Sequence, residues 1–317
     1  MPYKVFVDGQ EGTTGLKIRE RLANRADLDV LVIDSDKRRD TETRRQLLNA
    51  ADIAFLCLPD EAARESVALV TNTRTRIIDA STAHRTHPDW VYGIPELSVE
   101  HRKNIRNSKR VSVPGCHASG FNLALYPLVQ AGIVPQDYPI ACYSVTGYSG
   151  GGKKLIEQYE TVDVQAEALN CPRPYALGLN HKHLPEMQAV NGLTHHPLFT
   201  PILGNFYQGM IVSTPLAGRL LNKKRSAEEV HEYLASYYKA QKFVKVMPFA
   251  AETNLDNGFF SATACNGTNR LELFVFGQKD QILLSARLDN LGKGSSGAAV
   301  QVMNVMLGVD EGLGLTS

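Results

Sequence analysis

Short apolar runs alternate with polar stretches of helical periodicity in the first third of the chain. The apolar runs have the length of buried strands and lie at Lys4–Asp8, Leu28–Asp34, Ile53–Leu58 and Arg76–Ala80. Amphipathic stretches between them predict helices over Gly15–Ala23, Asp40–Asn49 and Glu61–Val70. Regular alternation of strand and helix predicts a doubly wound parallel sheet of the Rossmann type, in the α/β class.

The pattern changes after about residue 115, where strands and helices no longer alternate. Apolar positions along Phe121–Val129 predict a helix. Apolar runs of strand length follow at Ile140–Thr146 and Met210–Thr214. Two later runs, Leu271–Gly277 and Gln281–Asp289, are separated by a short polar stretch and predict an antiparallel hairpin. This part therefore predicts an α+β domain with a mostly antiparallel sheet. The tail, rich in small residues, is predicted to be helical and to pack back onto the first domain.

The composition narrows the class of protein. Hydrophobic residues make up 43% of the 317 residues and the net charge is +1, which favours a globular protein without a nucleic-acid or membrane partner. No apolar run approaches the ~20 residues of a membrane-spanning helix, and the N-terminus does not resemble a signal peptide. The 5 cysteines are far apart, which favours free thiols in a reducing cytoplasm.

A glycine-rich loop follows the first predicted strand and opens the first helix. Its spacing is Gly-x-x-Gly-x-x-Gly, formed by Gly9, Gly12 and Gly15. Glycines let the backbone approach a pyrophosphate closely, and the free amides of the helix start, around Thr13 and Thr14, can bind it. The position of the loop between a strand and a helix predicts a dinucleotide site.

The end of the second predicted strand bears on the choice between NAD and NADP. Asp34 lies where an acid would bind a ribose 2′-hydroxyl, which favours NAD. Donors that could instead bind the 2′-phosphate of NADP follow directly, at Ser35, Lys37, Arg38 and Arg39. The residues by themselves leave both cofactors open.

Cys116 differs from the other cysteines in its predicted position. A Pro-Gly turn precedes it and an amphipathic helix begins with it. A helix start stabilises a thiolate, and its free amides can also bind the oxyanion that forms when a thiolate attacks a carbonyl. Cys57 and Cys142 lie inside apolar strands instead. Cys116 is therefore the candidate nucleophile.

The richest polar cluster combines His181, His183 and Glu186. Thiolate chemistry needs an acid–base group that works near pH 7, which histidine supplies, and a carboxylate can orient the ring. Two histidines could also form half of a metal site, but the sequence indicates no convincing further ligands, so no metal is predicted.

A second glycine-rich segment follows the strand that ends at Thr146. Its glycines, hydroxyls and lysines suit an anion such as phosphate, with Ser149, Gly150 and Lys153 as candidate contacts. A flexible loop with exposed lysines is the alternative.

Together these motifs resemble the shorter-chain N-acetyl-gamma-glutamyl-phosphate reductases over essentially the whole chain. Besides the first glycine loop, the shared motifs are Asp79–Arg85, Pro114–Cys116, the Ser-Gly-Gly-Gly segment, His181–Glu186 and Asn290–Gly294. The chain departs from many members at Val113 and His117, which stand where Asn and Tyr often flank Pro-Gly-Cys. Because His117 adjoins the nucleophile, it is a further candidate for the base.

The resemblance implies NADPH-dependent reduction of N-acetyl-gamma-glutamyl phosphate through a Cys116 thioester, in arginine biosynthesis. It implies a histidine of the 181/183 pair as the acid–base group, Arg85 as a substrate contact and Asn290 as a cofactor contact. The expected domains are a dinucleotide-binding domain, 1–115, completed by the C-terminal helix 293–317, and a catalytic and dimerisation domain, 116–292. The expected assembly is a homodimer or homotetramer.

Two other functions remain open at this stage. Another acyl-phosphate reductase, acting on an aspartyl or aminoadipyl phosphate, would use the same chemistry with a different pocket. A non-catalytic Rossmann redox sensor would need the dinucleotide domain alone, so it leaves the histidine–glutamate cluster unexplained.

Overall fold

The computed structural model describes residues 1–161, 169–249 and 255–317. The chain divides into two compact units. One unit comprises Met1–Pro114 and Ser295–Leu315, and the other comprises Gly115–Gly294 with the last two residues. Within the described ranges, no helix is long and apolar enough to cross a membrane.

The first unit contains a six-stranded sheet in the order β2-β1-β3-β4-β6-β5, with every neighbouring pair parallel. Its strands are β1 Tyr3–Asp8, β2 Leu28–Leu31, β3 Ile53–Leu56, β4 Arg76–Asp79, β5 Val91–Tyr92 and β6 Arg110–Ser112. Its helices are α1 Thr13–Leu22, α2 Thr41–Ala50, α3 Asp60–Leu69, α4 Val99–Asn107 and, from the tail, α9 Gly297–Leu307. The predicted parallel sheet is confirmed.

Alternation along β1 gives this sheet two apolar faces. Val5 and Val7 pack in a cluster with residues of α1, α4 and α9, whereas Phe6 packs with residues of α2 and α3. Burial on both faces produces the continuous apolar runs seen in the sequence. The tail helix α9 thus packs onto this sheet.

The second predicted strand was too long at its C-terminal end. Strand β2 ends at Leu31, whose last pairing is with Phe6 of β1, and Val32 is 59% exposed. As an edge strand β2 has one partner, and from Val7 onward β1 pairs only with β3. The apolar residues Val32 and Ile33 therefore lie in an irregular segment between β2 and the turn that begins at Ser35.

The second unit contains a seven-stranded mixed sheet in the order β11-β12-β13-β10-β7-β9-β8. Its strands are β7 Ala141–Thr146, β8 Arg173–Pro174, β9 Leu198–Leu203, β10 Met210–Ala217, β11 Val244–Val246, β12 Leu271–Gly277 and β13 Gln281–Leu288. Its helices are α5 Cys116–Gln130, α6 Lys153–Glu160, α7 Leu184–Asn191 and α8 Ala227–Tyr238. The pairs β7–β9 and β11–β12 are parallel and the others antiparallel, so the mostly antiparallel sheet is confirmed.

Helices α5 and α7 are joined by a buried amide pair. Asn191 donates through Nδ2 to Oδ1 of Asn122 at 2.7 Å, and both side chains are fully buried. The same amide also donates to the Met187 carbonyl. A buried hydrogen bond of this kind is costly to break, so it fixes the position of α7 against α5.

Candidate active site

The glycine loop lies between β1 and α1, as the spacing predicts. Gly9 has φ +88°, and a Cβ there would lie 2.3 Å from the carbonyl oxygen of Cys57. Helix α1 begins at Thr13, and among the described residues no side chain caps its first turn. Close backbone packing and an uncapped helix start are what a pyrophosphate group needs, so the loop fits a dinucleotide.

The turn after β2 brings together two of the residues predicted for a 2′-phosphate. The Ser35 hydroxyl donates to one carboxylate oxygen of Glu11 at 2.9 Å, and Arg38 forms an ion pair with the other. Asp34 and Arg39 are exposed, and this ion pair does not include them. Glu11 belongs to the glycine loop and had no predicted role.

The Asp79–Arg85 motif covers the end of β4 and the partly buried turn that follows it in the same unit. Asp79 accepts a hydrogen bond from the Ser81 hydroxyl at 2.7 Å and lies 2.6 Å from Nδ1 of His84. The Nε group of Arg85 donates to the Val113 carbonyl at 3.0 Å. Arg85 therefore supports the strand that leads to Pro114, and its contact with substrate stays a prediction.

Cys116 is the first residue of α5, as predicted from the Pro-Gly turn. Gly115 is the N-cap residue, and its amide donates to Oε2 of Glu186 at 3.1 Å. Glu186 is 1% exposed, so this hydrogen bond is buried. This contact holds the turn that carries the nucleophile, and the predicted role of Glu186 in orienting a histidine stays a prediction.

Three histidine rings lie together in the second unit. The ring centroids of His117 lie 5.4 Å from His181 and 5.3 Å from His183, and those of His181 and His183 are 4.6 Å apart. One nitrogen of each ring lies within 4.8 Å of the others. The sequence predicted the pair and gave His117 as a further candidate for the base without placing it beside them, so the structure adds a third ring to the cluster.

Hydroxyl groups contact both nitrogens of His117. Nδ1 lies 2.9 Å from the Ser144 hydroxyl, and Nε2 lies 3.0 Å from the Tyr175 hydroxyl. Burial, followed by the positive charges of His181 and Lys182, lowers the pKa of His117 to about 3. The ring is therefore neutral near pH 7, and with both nitrogens engaged it matches a hydrogen-bonded site better than a metal centre. That the site uses no metal stays a prediction.

Tyr175 is a residue that sequence reasoning missed. Burial and the nearby negative charge of Cys116 raise the pKa of its phenol. The hydroxyl stays protonated, and it shares a hydrogen bond with Nε2 of His117 while the Ser144 hydroxyl shares one with Nδ1. Tyr175 and Ser144 come from segments far from His117 in the sequence, so no local pattern could have indicated them.

The two predicted histidines lie on a turn that begins α7. His183 is 4% exposed and its backbone amide donates to Nδ1 of His181 at 3.2 Å. The amide of Leu184 donates to the His181 carbonyl, so this stretch is a turn. The rings of His181 and His183 are 4.6 Å apart between centroids, so either ring can act on the same substrate.

The predicted phosphate loop separates into buried and exposed residues. Ser149 is 1% exposed, and its hydroxyl accepts from Nδ2 of Asn290 at 2.9 Å. Oδ1 of Asn290 accepts from the backbone amide of Gly209. Both polar atoms of the Asn290 side chain therefore form hydrogen bonds within the second unit. Gly150 and Lys153 are exposed. The predicted roles of these residues stay predictions.

The comparisons with known proteins agree with this geometry. A family model described as semialdehyde dehydrogenase, NAD binding domain, matches residues 4–105, and one described as semialdehyde dehydrogenase, dimerisation domain, matches residues 116–290. N-acetyl-gamma-glutamyl-phosphate reductase 2 of Nostoc sp. is 48% identical over 98% of this chain and 99% of its own length. The chain belongs to the N-acetyl-gamma-glutamyl-phosphate reductase family. The resemblance inferred from the motifs is confirmed, and the chain is an NAD(P)-dependent oxidoreductase.

Other relatives support the same reductase family and its fold. The N-acetyl-gamma-glutamyl-phosphate reductase of Burkholderia orbicola is 48% identical over 96% of this chain and 97% of its own length. Among solved structures, aspartate semialdehyde dehydrogenase II of Vibrio cholerae has a TM-score of 0.74 at 16% identity, covering 97% of this chain and 99% of that chain. At that identity the likeness shows the fold alone.

Three other cysteines of this reductase are unsuited to nucleophilic attack because burial raises the pKa of their thiols. Burial raises the pKa of Cys142 to about 12 and that of Cys265 to about 11, and it also raises the pKa of Cys57. A thiol with such a pKa stays protonated near pH 7. Cys171 is exposed.

Proposed function

We propose that the chain reduces N-acetyl-gamma-glutamyl phosphate to N-acetylglutamate semialdehyde and phosphate with NADPH, as a step of arginine biosynthesis. The observation that carries this proposal is the position of Cys116 as the first residue of α5, next in sequence to His117 of the histidine cluster. A thiol and imidazoles together are what an acyl-transfer step through a thioester requires.

Cys116 forms the thioester. Its thiolate attacks the γ-carbonyl carbon, the carbonyl electrons move to oxygen, and the phosphate leaves with the electrons of the carbon–oxygen bond. The first amides of α5 can donate to the developing oxyanion. NADPH, when bound, supplies the hydride that reduces the thioester. Expulsion of the Cys116 thiolate then releases the aldehyde.

We assign the proton transfers to His183, with His181 as a contact for the substrate carboxylate. A general base works best when its pKa lies near the working pH. Since the pKa of His117 is about 3, this ring is too weak a base for that role. His183 is buried at the start of α7, where the helix backbone holds it. Glu186 supports the site from the same helix through the amide of Gly115.

We assign the cofactor contacts to the glycine loop and to the turn after β2. The backbone around Gly12 and Thr13 would hold the pyrophosphate. Ser35, Arg38 and Arg39 would hold the 2′-phosphate, as the resemblance implies for an NADPH enzyme. Asn290 would be a further contact of the cofactor. Substrate contacts are assigned to Arg85, Ser149, Gly150 and Lys153.

We further propose a homodimer formed through the sheet of the second unit, located in the cytoplasm. The face of β7 and β9 that carries Tyr143 and Leu198 is apolar, and these side chains are 40% and 58% exposed. Exposed apolar patches of this kind mark interaction sites, and the matching family model is a dimerisation domain. Among the described residues no disulfide joins the cysteines, as in a reducing compartment. A homotetramer would add a second interface.

A turnover assay tests the proposed reaction. The purified chain should reduce NADP in the presence of N-acetylglutamate semialdehyde and phosphate, and Cys116→Ser should abolish nearly all of this activity while the cofactor still binds. Aspartate semialdehyde is the matched alternative substrate. Faster turnover of aspartate semialdehyde would reject the proposed substrate, and near-normal turnover by the serine variant would reject the thioester.

A further inference from the structure

A carboxylate of the glycine loop contacts the residues that we assign to the 2′-phosphate. Glu11 lies between Gly9 and Gly12, and one oxygen accepts from the Ser35 hydroxyl at 2.9 Å. The other oxygen forms an ion pair with the guanidinium of Arg38. The Glu11 and Arg38 side chains are 38% and 47% exposed, so an arriving cofactor can reach them.

Glu11 accepts from the same kinds of donor that would bind the 2′-phosphate of NADP. A hydroxyl and a guanidinium that donate to two oxygens of one anion are the donors expected around a 2′-phosphate. A phosphate carries up to two negative charges and is the stronger acceptor. A carboxylate held in the same place would repel it, so both anions cannot share Ser35 and Arg38 without loss.

We propose that Glu11 competes internally with the 2′-phosphate of NADP for Ser35 and Arg38. NADP must displace the carboxylate, whereas NAD has a neutral 2′-hydroxyl and leaves the pair intact. Glu11 thus weakens NADP selectively and limits the preference for NADP over NAD. This inference rests on the proposed role of Ser35 and Arg38 in binding the 2′-phosphate.

The size of the effect follows from the exposure of the pair. Exposed ion pairs contribute little because water and salt screen them, so release of Arg38 from Glu11 is cheap. Repulsion between the released carboxylate and the phosphate adds to that cost. Removal of the charge should therefore raise the affinity for NADP by about three- to tenfold. Added salt should reduce this gain, since both contributions are electrostatic.

Calorimetric titration of the full chain with NADP and with NAD tests the inference. Glu11→Gln keeps the size of the side chain and removes its charge. Glu20→Gln is the matched control, because it makes the same change in the net charge of the chain. Glu20 is an exposed residue of α1 that forms an ion pair with Lys17. We expect only Glu11→Gln to tighten NADP, while NAD stays within about twofold in both variants.

Arg38→Ala separates failure of the inference from failure of the proposed site. It should weaken NADP much more than NAD. Equal effects on both cofactors would remove Arg38 from the 2′-phosphate site and overturn the inference with it. If Arg38→Ala discriminates but Glu11→Gln weakens NADP, Glu11 orients Arg38 instead of competing, and the inference alone is wrong. An equal gain for NADP and NAD would also overturn it.

Discussion

The lowered pKa of the buried His117 ring is expected to make the folded chain less stable in mildly acidic solution, where the unfolded chain gains a proton at this residue. Burial and nearby positive charge lower the pKa of His117 from 6.5 to about 3 in the folded chain. In the unfolded chain the ring is solvated and takes up a proton near its usual pKa. Between these two pKa values the unfolded chain binds more protons. The free energy of unfolding therefore falls as the pH is lowered from about 7 towards 3.

The magnitude follows from the distance between the working pH and the pKa of the unfolded chain. A pH of about 5 lies roughly 1.5 units below the ordinary pKa of histidine, which His117 has in the unfolded chain. Each of these units lowers the free energy of unfolding by about 1.36 kcal/mol. His117 should therefore contribute a loss of about 2 kcal/mol between about pH 7.5 and about pH 5. His117 is 3% exposed, so solvent screening does not reduce this figure. Domains are stable by only about 5–15 kcal/mol, so the loss is measurable.

Urea unfolding at the two pH values measures this contribution. His117→Gln does not titrate, and its amide can still reach the Tyr175 hydroxyl. The loss of stability between the two pH values should be smaller in this variant by about 2 kcal/mol. His196→Gln is the control, because that ring is exposed in the folded chain as in the unfolded one. Equal losses in the parent and in His117→Gln would refute the reasoning.

The other predictions concern the acid–base group and the assembly. His183→Asn should lower kcat by roughly 10²–10⁴-fold, whereas His181→Asn should mainly raise KM; the reverse result would exchange the two roles, and little effect from either would reject both. Leu198→Lys places a charge on the apolar sheet face and should give a monomer in light scattering. Val99→Lys, at an 85% exposed position on α4, should leave the dimer intact; a Leu198→Lys dimer would place the interface elsewhere.

The elements that could be predicted are those with a strong local pattern. Strand β3 is buried along its whole length, so its apolar run is continuous. Helix α4 was missed because Ile105 is its only buried residue, which leaves almost no apolar periodicity. Strand β9 was missed because Thr200 and Pro201 interrupt its apolar run. Helix α8 begins with a capping box of Ser226 and Glu229, a signal that could have indicated it.

The candidate site divides in the same way. The place of Cys116 was predictable because a Pro-Gly turn before an apolar helix is a local signal. The contacts of His117 were not, since Ser144 and Tyr175 lie 27 and 58 residues away along the chain. Strand β7 and the segment after β8 bring these hydroxyls to the ring, and that depends on the order of strands in the sheet. Sequence spacing alone does not contain that order.

Glu186 shows why the His-x-His-x-Pro-Glu motif has its spacing. His183 is the N-cap residue of α7, and Glu186 follows it in the first turn of that helix. Through its hydrogen bond to the amide of Gly115, Glu186 holds the turn that carries Cys116. One helix start therefore positions both the proposed acid–base group and the nucleophile. A change of one residue in this spacing would rotate Glu186 by about 100° around the helix and remove it from Gly115.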